Sequence, residues 1–115
     1  MKEEKDQAVS VDVDTGICGF PCRIKVWKTG KRAVGLEITG TDCRMINQFA
    51  ITIDEITMKQ LFLPLTKNPI FIAAEKACCH NACPVPSAVV KAVEVALGLA
   101  LKKDVTFRFD EKKAT

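Results

Sequence analysis

The segment from residue 84 to residue 101 limits the fold more than any other part of this chain. Its polar positions after Pro86 are Ser87, Lys91, Glu94 and Gly98, continuing to Lys102, three or four residues apart. They fall on one narrow stripe of a helix whose remaining surface is Val, Ala and Leu. A helix apolar over most of its circumference has to lie against a sheet and be flanked by neighbours. It is therefore the expected spine of the fold, with Pro84 and Pro86 at or just before its first turn, where helices accept proline. With 115 residues, 48% of them hydrophobic, the chain has room for one core and not two.

The sheet for that helix is legible upstream. Val9, Val11 and Val13 alternate with Ser10, Asp12 and Asp14, the period of a half-buried strand. Phe20, Cys22, Ile24 and Val26 alternate with Pro21, Arg23, Lys25 and Trp27 as a second strand. After the turn Thr29-Gly30-Lys31-Arg32, Val34, Leu36 and Ile38 form a third, so the second and third strands make a hairpin. Its apolar faces match when Ile24 stands opposite Ile38 and Val26 opposite Leu36, or when that register slides by two.

Short helices are expected next. Met45, Ile46, Phe49 and Ala50 have helical spacing within 44–51, with Thr41 or Asp42 as the cap. A second stretch opens at Asp54-Glu55 and stops at Pro64, and Asn68-Pro69 starts a third over 70–79. Val105, Phe107 and Phe109 alternate with Thr106, Arg108 and Asp110 as a last strand. Three strands, then helices, then a strand imply an α+β domain over 9–110 with a small, mainly antiparallel sheet packed by helices. Residues 1–8 and 111–115 are expected to be tails.

No apolar run reaches the roughly 18 residues of a membrane span, and the start MKEEKDQ is charged where a secretory signal is basic and then apolar. A cytoplasmic protein without membrane attachment is the expectation. The net charge of +3 says little. Arg23, Lys25, Lys28, Lys31 and Arg32 make the hairpin basic, but no recognition motif accompanies them, so nucleic acid is not an expected partner.

Six cysteines are the chemical excess, and in an intracellular chain they point to thiol or metal chemistry before disulfides. Cys18 and Cys43 leave the open end of the hairpin almost opposite one another, in the loops where sites are built. Cys22 shares the inward face with Phe20, Ile24 and Val26 and reads as a small core residue. Cys83 stands just before the spine helix, whose free N-H groups and partial positive charge favour a thiolate. If that helix start packs over the hairpin end, Cys18, Cys43 and Cys83 converge. Three thiolates suit zinc or an iron-sulfur cluster, and His80 or Cys79 is the candidate fourth ligand. Adjacent Cys78 and Cys79 do not easily share one metal.

The run GICGF with Cys18, the Asp42-Cys43 step after the third strand, and Cys83 leading into SAVVKAVEVALGLA resemble the layout of IscU/NifU-type iron-sulfur cluster scaffold proteins. The resemblance covers roughly residues 16 to 97. GICGF and ACPVP also resemble segments of a small group of anaerobe proteins. The scaffold resemblance implies an IscU/NifU-like fold, a cluster or transient metal on Cys18, Cys43 and Cys83, and a protein partner that receives it. Two further functions stay open: a thiol-active protein for sulfur transfer or redox exchange through a low-pKa Cys83, and an interaction domain using the basic hairpin and Trp27. One histidine, and no paired carboxylates or glycine-rich phosphate loop, leave no hydrolase to defend. Binding rather than catalysis is the expectation.

Overall fold

The computed structural model describes residues 8–111, so the tails expected at the two ends fall, apart from Ala8 and Glu111, outside the described residues. Its architecture is α+β. One four-stranded antiparallel sheet runs in the order β1 (Val9–Val13), β2 (Cys22–Gly30), β3 (Ala33–Thr39) and β4 (Glu55–Thr57). The helices are α1 (Arg44–Thr52), α2 (Met58–Leu61), α3 (Pro69–Lys76) and α4 (Val85–Ala96).

The hairpin has the register its apolar faces demand: Ile24 pairs with Ile38 and Val26 with Leu36. β1 continues the same face, setting Val13 beside Cys22 and Val11 beside Ile24. Any one-residue slip would turn these side chains to solvent, which is why the pattern narrows the pairing to this register or one slid by two. On the opposite face Asp12 accepts two hydrogen bonds from Arg23, at 2.7 and 3.2 Å. Trp27 lies across Gly35, where a Cβ would come within 2.9 Å of the indole ring.

α4 covers β1 and β2 and buries Val85, Val89, Ala92 and Val93, while Ser87, Lys91 and Gly98 remain exposed as the polar stripe requires. Ile46 and Phe49 of α1 and Ile70, Ala73 and Ala74 of α3 close the other flank of the core. Asn68 is buried, but it is satisfied: its Oδ1 accepts from Ile70 N-H at 2.9 Å, capping α3, and its Nδ2 donates to the Leu61 carbonyl at 3.1 Å.

Three expectations need correction. The fourth strand is not 105–109 but Glu55–Thr57, inside the stretch expected to be helical from Asp54. Ile56 is buried there, and the ladder is held by Leu36 N-H donating to the Asp54 carbonyl and Met58 N-H to the Arg32 carbonyl. The helix begins only after Thr57, where Thr57 and Gln60 form a reciprocal capping box. Secondly, Cys43 itself occupies the N-cap of α1, with Thr41 accepting the Cys43 N-H and not capping the helix. Thirdly, α4 stops at Ala96, short of 101, because Gly98 takes the left-handed conformation and the Gly98 and Leu99 amides close onto Val95 and Glu94. Beyond this point residues 101–109 are exposed and, among the described residues, belong to no strand. Among the described residues no helix is long and apolar enough to cross a membrane.

Candidate functional site

The registers bring one end of the sheet together: Val13 closes β1 beside Cys22 at the start of β2, and Thr39 closes β3 beside Arg23. The loops leaving that end carry the cysteines. Cys18 ends a single 3-10 turn, Gly16–Cys18, shut by Gly19 N-H donating to the Gly16 carbonyl at 3.0 Å. Gly16 and Gly19 both have left-handed backbone, at φ +73° and +71°, which glycine adopts without strain. Cys18 is exposed. The Thr15 side chain first, and then the Phe20 amide, hold its thiol below the ordinary value.

Cys43 is buried at the head of α1, beside the free amides of that helix's first turn. Cys83 lies just before α4, its N-H donating to the His80 carbonyl at 3.1 Å. Its thiol is raised, first by burial, against the pull of the Val85 amide, and then further by the Cys18 and Cys43 charges. The expectation of a low-pKa Cys83 is thereby corrected. The helix start does favour the thiolate, but desolvation outweighs it.

The adjacent pair is divided by the end of α3. Cys78 N-H donates to the Glu75 carbonyl and Cys79 N-H to the Ala74 carbonyl, both at 3.0 Å, the double closure of a Schellman motif. Cys78 holds the left-handed position of that motif at φ 61°, where glycine usually stands, and it faces solvent. Cys79 is turned inward by the same closure. Burial first, and then the Cys83 and Cys43 charges, push its thiol up to about 11. Cys22 is a core residue as expected, its thiol also pushed up to about 11, chiefly by burial, but Phe20, expected on the same inward face, lies ahead of β2 and is exposed.

Cys18, Cys43, Cys79, His80 and Cys83 line one cavity of about 150 Å³, with Met45 and Phe20 in its walls. Four thiols, an imidazole and a thioether from separate parts of the chain make a soft donor set. The Cys83 and Cys43 charges raise the Cys79 thiol and the Cys18 and Cys43 charges raise that of Cys83, so deprotonation of these two is opposed until a cation offsets the charge. The separation is not yet that of a closed site: among the described residues no group of three His, Cys, Asp or Glu side chains is placed to hold a metal ion. Cys18 is exposed on its turn, outside the buried part of the set. Met45 escaped the sequence reading because its first-turn position served equally as core.

A larger open depression of about 580 Å³ flanks Asp12, Asp14 and Arg23 at the same end. Its opposed charges at Asp12 and Arg23 already neutralise each other. The basic hairpin is likewise reduced by that ion pair, and Trp27 is laid on Gly35.

No curated protein and no solved structure matches the chain. A family model does match, over residues 9–109, which takes in the strands β1–β4, the helices α1–α4 and all six cysteines. The chain belongs to that family, the family of unknown function DUF6951.

Proposed function

We propose that this chain is a non-enzymatic, scaffold-like cytoplasmic protein that binds a metal ion or an iron-sulfur cluster through the thiolates of Cys18, Cys43 and Cys83 and passes it to a protein partner. The observation that carries the reading is the convergence of these three cysteines, with Cys79 and His80, on one cavity of about 150 Å³. Cys79 is the better fourth ligand, because its side chain is partly buried in the cavity whereas His80 is exposed. Two helix starts face the same space and favour anionic sulfur there. When bound, zinc or an iron-sulfur cluster would supply the positive charge that lets neighbouring thiols deprotonate together. Cys18 reaches it by an inward movement of the Gly16–Cys18 turn, for which the flanking Gly16 and Gly19 provide the backbone freedom.

The test is anaerobic purification followed by metal analysis and a visible absorption spectrum, before and after reconstitution with iron and sulfide or with zinc. A stoichiometric metal or cluster that is lost in Cys18→Ala, Cys43→Ala and Cys83→Ala is the expected result. A protein that takes up neither after reconstitution overturns the proposal.

A further inference from the structure

The segment 105–109 has the alternation of a strand without a strand's partner. Val105, Phe107 and Phe109 take alternate positions along it and are 57%, 87% and 91% exposed. Thr106, Arg108 and Asp110 alternate with them. A soluble surface rarely presents such a row of large apolar side chains unless something covers it. The segment also lies inside the 9–109 span of the family match, so it belongs to the unit the family has in common.

The sheet offers a matching edge. Among the described residues β1 pairs only with β2, leaving its outer edge open over five residues, the same length as 105–109. Val9 and Val11 on that edge are only partly buried, although both pack against the core. A register that sets Phe107 beside Val11 puts Arg108 next to Asp12 or diagonal to it, in either strand direction. Along the outer face, Arg23, Asp12 and Arg108 would then alternate in sign.

We infer that residues 105–109 form a fifth strand on the β1 edge of a second copy of this chain, in a reciprocal exchange about a twofold axis. The arm favours a second copy because it leaves its own body after Gly98 and stays exposed from 101 to 110 while its own β1 edge is open. Exchange satisfies both edges at once, which is the closure that protects a symmetric dimer from growing further. The contact is large enough to hold. A phenylalanine buries on the order of 150–250 Å², so the four contributed by two arms bring roughly 600–1,000 Å². With the surface they cover, this reaches the ~1,200–2,000 Å² of stable interfaces. The inference is independent of any metal at the cysteines.

Sedimentation or light scattering of the full chain in reductant, which keeps exposed Cys18 and Cys78 from cross-linking, should give twice the mass of one chain. A stop in place of Asp104 should leave a monomer with an unchanged circular dichroism spectrum, since residues 104–110, which it removes, are exposed and lie in no strand or helix. Phe107→Glu should weaken the dimer roughly tenfold or more, as loss of a buried aromatic anchor does. Hydrogen exchange should show protected amides over 105–109 in the dimer and loss of that protection on dilution. A monomeric full chain, with the arm free or folded on its own β1, overturns the inference, as does a dimer that survives the truncation.

Discussion

The Cys79 Sγ lies 4.0 Å from the Met45 carbonyl oxygen, joining two points 34 residues apart in the chain. The contact ties the turn after α3 to the first turn of α1 and aims one of two adjacent cysteines into the cavity. The six cysteines therefore separate by geometry. Replacing Cys18, Cys43 or Cys83 by Ala should remove bound metal, and Cys79→Ala should weaken it more than His80→Ala. Cys22→Ala should keep full metal content while lowering stability by about 1 kcal/mol, the usual size of a small core truncation. Metal analysis and thermal melts of the six variants check this together. Retention of metal in Cys83→Ala would remove the site from the head of α4.

Cys78 should be replaceable with profit to the fold. A left-handed residue with a Cβ costs roughly 1–2 kcal/mol relative to one without. Cys78→Gly at φ 61° should accordingly raise stability by about 1 kcal/mol, or a few degrees in Tm, without changing metal content. Denaturant unfolding checks it, and a destabilised variant would mean that the exposed thiol makes a contact after all.

Gly35 should not tolerate a side chain. An added Cβ would stand 2.9 Å from the Trp27 indole, and Gly35 is buried in the middle of β3. Gly35→Ala is expected to cost about 1–3 kcal/mol, as overpacking does. In the Trp27→Ala background the same change should cost much less, so a double-mutant cycle measures the coupling. Additive effects would argue against the contact.

Thiol reactivity should follow exposure and local hydrogen bonding. Cys18, held below the ordinary value by Thr15 and Phe20, should alkylate at lower pH and faster than Cys83, whose thiol burial raises. Mass-resolved iodoacetamide labelling of the metal-free protein over a pH series reads the order directly. Faster labelling at Cys83 would reverse the assignment.

Stability should also fall at alkaline pH. An unfolded thiol ionises near the ordinary 9.0, whereas folded Cys22 and Cys79 hold their protons to about 11. Between those values ionisation favours the unfolded chain, so the contribution is complete below pH 9 and is lost as pH rises toward 11. Melts of the metal-free protein should show the decline, and Cys22→Ala should flatten it. An unchanged slope in that variant would show that Cys22 is not the titrating group.

Local pattern was enough for the hairpin's faces, because only the Ile24–Ile38 register or one slid by two keeps Ile24, Val26, Leu36 and Ile38 on the same buried face, and the structure takes the first. The same holds for the exposed stripe of α4 and for Cys22 as core, since both rest on which face a side chain takes. Where the sequence misled, a long-range partner decided. Residues 54–57 have helical spacing, yet the open edge of β3 beside them offers backbone hydrogen bonds, and the helix waits for the Thr57 and Gln60 capping box. Residues 105–109 have strand alternation and no edge within their own fold that they occupy. The division of Cys78 from Cys79 follows from how α3 closes, and the height of the Cys83 thiol from how deeply it is packed. Sequence determined which side chains face inward, because alternation and helical period are local properties. Tertiary structure alone decided which edges pair and which thiols are desolvated, because both depend on what the rest of the chain brings alongside.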